Sequence, residues 1–108
     1  MNALIVLTNA PDRAVAQKIA QTLVEQKLAA CVNILAECTS VYRWQGKIET
    51  AGEVPLLIKT RGDLYAEVET AIRSMHPYEL PEIVAVPVER GSSDYLGWLN
   101  AATATETG

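Results

Sequence analysis

The sequence predicts an α+β domain in which an antiparallel sheet carries helices on one face. Three observations lead there. Two segments, residues 13–28 and 64–75, repeat apolar residues at helical spacing. Short apolar runs flank them, too short for helices and rich in Val, Ile and Leu. Two long extended segments meet at Gln45-Gly46, a two-residue hairpin turn. The 108 residues are enough for one core and too few for two.

Each element has its own signal. Residues 3–8 form a continuous apolar run, which fits a central strand buried on both faces. Pro11 suits the first turn of the following helix, and Asp12 suits its positive end. Ala16, Ile19, Ala20, Leu23, Val24 and Leu28 make the helix's apolar stripe, while Arg13, Gln17, Gln21 and Glu25 fall on the opposite side. Residues 31–44 and 47–60 read as two long strands. Gly52 and Pro55 interrupt the second and predict a bulge or an edge there. Residues 60–63 open a second helix, with Leu64, Val68, Ala71, Ile72 and Met75 as its stripe, and Pro77 ends it. Residues 83–88 are a further apolar strand. Residues 94–99, with Tyr95 and Trp98, form a short closing helix. Residues 1–100 then constitute the single domain, and residues 101–108, small and polar, form a fraying tail.

The order strand, helix, strand, strand, helix, strand is the ferredoxin-like, or split βαβ, arrangement. It leaves one apolar face of the sheet bare, and self-association is the common remedy. The hairpin points the same way. Fourteen residues per strand span about 45 Å, against a radius of gyration of about 13 Å for a chain of this size. A ribbon projecting that far is marginal in water unless a neighbouring subunit pairs with it. An obligate homo-oligomer is expected.

Composition excludes several classes. A net charge of -4 with scattered basic residues argues against nucleic acid. No segment has the ~20 apolar residues of a membrane span, and the apolar start lacks a basic lead and a cleavage pattern. A cytoplasmic location is therefore expected. Cys31 and Cys38 lie roughly 23 Å apart if one strand joins them, too far for a disulfide.

The densest polar constellation is residues 75–82, Met-His-Pro-Tyr-Glu-Leu-Pro-Glu. His76, the lone histidine, could ligate a metal or titrate near neutral pH. Glu79 and Glu82 add oxygen ligands or anionic recognition groups, although spacing does not say whether both face one point. A metal site needs three or four donors. His76, Cys31, Met75 and the two carboxylates are the candidates, and imidazole with sulfur would favour copper. Lys59 ends an apolar strand, either as a snorkelling side chain or as a cation in a cleft. Trp44 and Trp98 suit packing at a subunit interface. Without an oxyanion hole or a phosphate loop, no enzymatic activity is expected.

Across most of the chain these residues resemble the CutA-type divalent-cation tolerance proteins. The matching pieces are Thr8-Asn9-Ala10-Pro11-Asp12, Leu28-Ala29-Ala30-Cys31-Val32-Asn33-Ile34 and Tyr42-Arg43-Trp44-Gln45-Gly46-Lys47-Ile48-Glu49, then Ile58-Lys59-Thr60, His76-Pro77-Tyr78-Glu79-Leu80-Pro81-Glu82-Ile83 and Tyr95-Leu96-Gly97-Trp98. The resemblance implies a tight homotrimer of ferredoxin-like subunits, similar in architecture to the PII signalling proteins. It implies tolerance to copper and other divalent cations. Ligand positions proposed in copper-binding members hold Thr8, Met75 and His76 here. The resemblance also implies a cleft between subunits for Cys31, Lys59, Tyr78, Glu79 and Glu82, to which Trp44 is assigned as well. Two other functions fit such a trimer: a small-molecule-binding signalling module, or an anchor for a partner protein.

Overall fold

The structure is a computed structural model that describes residues 2–104. In chain order it has β1 (Ala3–Ala10), α1 (Arg13–Glu25), β2 (Cys31–Ile34), β3 (Cys38–Trp44), β4 (Lys47–Arg61), a 3-10 turn (Gly62–Leu64), α2 (Tyr65–Met75), β5 (Ile83–Pro87) and α3 (Ser93–Ala102). The strands lie in the order β2-β4-β1-β5, and β3 pairs with the other half of β4. Every pairing is antiparallel. Among the described residues no helix is long and apolar enough to cross a membrane.

β1 is central, as expected, but only one of its faces is covered. Val6, Thr8 and Ala10 point into the core, and Ile5 and Leu7 between them are only partly buried. The period of two explains this, because alternate residues face opposite sides of the sheet. The core lies between the sheet and α1 and α2, around Val6, Ile19, Leu23, Leu56, Ile58 and Ile72. On the other face Val84 and Val86 of β5 remain 51% and 47% exposed.

The helices follow their stripes with small corrections. Asp12 is the N-cap of α1, its Oδ1 accepting from the Val15 N–H at 2.8 Å, so Pro11 precedes the helix and does not open it. Val24, assigned to the buried stripe, is 44% exposed, because it sits at the stripe's margin while Ala16, Ile19 and Leu23 face inward. Lys27 takes a left-handed φ of 59° and turns the chain into β2. Residues 60 and 61 belong to β4, and the second helix starts only after the 3-10 turn. α3 is longer than expected. Ser92 caps it, and Thr103 beyond it is buried, its hydroxyl donating to Leu99 O at 2.9 Å. Arg61 donates to Thr103 O at 3.1 Å and to Asn100 Oδ1 at 3.3 Å. The chain is therefore tied down through Thr103, past the expected start of the fraying tail at Ala101; residues 105–108 lie outside the described residues.

The expected strand over 31–44 is two strands. Ile34 pairs with Leu56 and Cys38 with Glu53, so Leu35, Ala36 and Glu37 face only Val54 and Pro55. The extra residue lies opposite Pro55, not in the strand that contains it. Pro55 is the cause. The Leu35 N–H donates to Pro55 O at 2.9 Å, but proline has no N–H to return. The Leu35 carbonyl instead accepts from Arg13 Nη2 at 2.9 Å. β4 itself runs unbroken past Gly52 and Pro55.

The hairpin turn matches its sequence. Gln45 and Gly46 take φ of 50° and 80°, the paired left-handed conformations that suit a twisted two-residue hairpin. The hairpin stretches the molecule to 49 × 29 × 22 Å and its radius of gyration to 14.6 Å. Val41 and Ile48 on it are exposed.

Replacing Ile72 by Ala should cost about 2–5 kcal/mol in urea denaturation, because its side chain is fully buried. Arg13→Ala should cost less, about 0.5–1.5 kcal/mol, the worth of the hydrogen bond that satisfies the Leu35 carbonyl.

Candidate functional site

The site begins with a proline. Pro77 pushes the preceding residue out of the helical region, and His76 accordingly has φ -84° and ψ 131°. Its backbone N–H still caps α2 by donating to Ile72 O at 2.9 Å. The side chain turns beneath the end of β1 and is 7% exposed. There Nε2 lies 2.6 Å from Asn9 O, and Nδ1 lies 3.2 Å from the Tyr78 amide nitrogen. A carbonyl can only accept and an amide N–H can only donate. The ring is thus the neutral tautomer with its proton on Nε2. It bolts the turn over residues 76–82 to β1, and Tyr78 stacks beside it at 4.7 Å and 55°.

The turn so placed faces the hairpin. Ser40, Tyr42 and Trp44 alternate onto one face of β3, and register places Glu53 of β4 on that same face through Cys38. Between hairpin and turn lies a cleft of about 830 Å³, and Trp44, Tyr78, Glu79 and Glu82 all line it. The two glutamates therefore do share one cavity. Tyr42 and Glu53, not among the residues expected there, line it too. Tyr42 had a signal, since it stands two residues from Trp44 in a strand. Glu53 had a weaker one, a carboxylate directly before the apolar run of residues 54–58. It is 8% exposed, and its carboxylate lies near enough to the Tyr78 hydroxyl to act on it. Burial pushes the Tyr78 phenol above its ordinary value of 10.0, and the charge of Glu53 adds to the effect.

The other expected site residues lie elsewhere. Cys31 opens β2 opposite Lys59, with its thiol against the Tyr95 hydroxyl of α3. Lys59 donates to Asn33 Oδ1 on the same sheet face. This group is about 13 Å along β4 from the Pro55 level, where Asn9 and His76 sit. Met75 faces away from the cleft, into a shallow groove between α1 and α2 with Thr22 and Leu28. Within one chain His76, Cys31 and Met75 do not converge. Among the described residues no three of His, Cys, Asp and Glu stand together as a metal-ligand group.

Two features nevertheless fit a cation near His76. Its Nε2–H is held by a carbonyl, which orients the ring as in a ligating imidazole, and Nδ1 carries the lone pair, engaged here by the Tyr78 N–H. The Thr8 hydroxyl, one residue before Asn9, is buried with no hydrogen-bond partner.

The fold and the site together define a class of small α+β protein, one sheet with helices on one face and a projecting hairpin that walls a polar cleft. The model of the CutA1 divalent ion tolerance protein family matches residues 4–102. The Divalent-cation tolerance protein CutA of Yersinia pestis (strain Pestoides F) is 48% identical over 101 residues, 94% of this chain and 85% of that protein. The divalent cation tolerance protein of Thermus thermophilus superposes with a TM-score of 0.92 at 43% identity, covering 94% of this chain and 99% of that one. CutA1 of Oryza sativa gives 0.94 at 35% identity, covering 98% and 97%. A protein of Archaeoglobus fulgidus named as a periplasmic divalent cation tolerance protein gives 0.92 at 40%, covering 94% and 99%. The chain belongs to the CutA1 divalent ion tolerance family.

The raised Tyr78 pKa makes a prediction about stability. The fold prefers the neutral phenol, so this contribution is complete below about pH 10 and is lost as pH rises through the higher folded value. Tyr65 and Tyr95 shift in the same direction, both chiefly through burial. Tyr78→Phe should therefore show a smaller fall in urea midpoint between pH 8 and pH 10.5 than the parent chain. An equal fall would mean that Tyr78 is not coupled to the cleft.

Proposed function

We propose that the chain works as a homotrimer of ferredoxin-like subunits, PII-like in architecture, that binds a divalent cation in response to metal, copper foremost. The observation that carries the metal is the His76 imidazole, with one nitrogen fixed on Asn9 O and the other a lone-pair donor once the Tyr78 amide releases it. Cys31 and Met75 remain the proposed additional donors. They lie apart in one chain, so a site that uses all three takes them from different subunits. The trimer is supported by the half-exposed Val84 and Val86 on the bare sheet face and by the exposed Val41 and Ile48 of the projecting hairpin.

The cleft favours a second reading, a small-molecule-binding module. Trp44, Tyr78, Glu79 and Glu82 line it together, and Lys59 would join them from a neighbouring subunit.

Copper titration by calorimetry tests the first reading. His76→Ala should lower affinity at least about tenfold, and unchanged affinity would remove His76 from the site. Light scattering should give about three times the 11.7 kDa subunit mass, and a monomer would sink the trimer.

A further inference from the structure

The cleft between hairpin and turn has a definite chemical character. Glu53, a residue more than nine-tenths buried, is among its lining. The group its charge acts on within the chain is a phenol, the Tyr78 hydroxyl. Among the described residues no ion pair reaches Glu53. A carboxylate in a cleft without a cation beside it gains when one arrives. Three aromatic rings, Tyr42, Trp44 and Tyr78, line the same space, and aromatic faces attract cations. Two further carboxylates, Glu79 and Glu82, stand exposed at the rim. Leu80, Pro77 and Pro81 supply apolar surface to the same cleft. Arg43 also borders the cleft, but strand alternation sends its Cβ to the opposite face from Tyr42 and Trp44.

We infer that this cleft binds an aliphatic diamine or polyamine. One ammonium group sits against Glu53 and the aromatic rings, the methylene chain lies on the proline and leucine surface, and a second ammonium meets Glu79 and Glu82. The arrangement matches the amphipathic nature of such a molecule, with charged groups and apolar surface lining one cleft. An inorganic cation would leave the apolar stretch and the rings unused. An anion would meet three carboxylates, against Arg43 at the border and the one Lys59 that the small-molecule reading brings from a neighbour. The inference rests on the small-molecule reading of the cleft and names its ligand class.

The test uses the full chain in low salt, with 1,4-diaminobutane as the probe and 1,4-butanediol as its neutral counterpart. Binding is read from the Trp44 indole signal in nitrogen-15 NMR. The diamine should shift that signal saturably, at least about tenfold more tightly than the diol, because the charged contacts carry the affinity. Glu53→Gln should weaken diamine binding about tenfold or more. The exposed double variant Glu79→Gln/Glu82→Gln, whose side chains the core does not need, should weaken it as well. Equal response to the diol, or diamine affinity unmoved in both variants, would overturn the inference. A parallel screen of anionic and neutral metabolites separates two kinds of failure. If one of them binds at Trp44 and the diamine does not, only the ligand class is wrong. If nothing binds there, the small-molecule reading falls with it.

Discussion

β4 is the strand on which the rest of the molecule is registered. Its fifteen residues run without a break. The second half pairs with β1 on one side and β2 on the other, and the first half carries β3. One continuous strand therefore serves both the packed sheet and the projecting hairpin. Any twist or shift in β4 reaches both. That constraint explains the irregularity opposite Pro55. A proline in a strand paired on two sides leaves a carbonyl without a donor, and the chain answers with an extra residue in the facing strand and an arginine from α1.

The site depends on a second constraint, which is local. Pro77 holds His76 in an extended conformation, so α2 ends there and the imidazole reaches Asn9 on β1. Residues 76–82 are thereby held against the hairpin's inner face, which β4 has already positioned. The cleft arises where these two constraints meet. Its walls come from segments far apart in sequence, and neither wall alone encloses anything. Glu53 shows the result most clearly. Its place before the apolar run of residues 54–58 marks it only weakly, yet it becomes the most buried charge lining the cleft because register sets it opposite Cys38 on the hairpin's inner face.

Helices, strands and turn were largely legible from periodicity. The stripes of α1 and α2 are correct in their central members, and the turn at Gln45-Gly46 has the left-handed pair that its glycine suggests. The misses share a cause. Val24, the break at residues 35–37 and the ordered Thr103 each depend on what lies opposite, whether a stripe margin, a proline in the facing strand or Arg61 reaching across from β4. Periodicity records which way a side chain points along its own element. It does not record what waits there.

The sequence by itself determined the α+β order of elements, the bare apolar face of the sheet and the polar weight of residues 75–82. Local rules suffice for these, because helical and strand periods and the effect of proline act within a few residues. Only the tertiary structure decided which polar residues belong together. It joined Trp44, Tyr78, Glu79 and Glu82, added Tyr42 and Glu53, and sent Cys31 with Lys59 and Met75 to separate places. The physical reason is strand register: a residue's neighbours across a sheet are set by pairing with distant segments, and no spacing along the chain encodes that pairing.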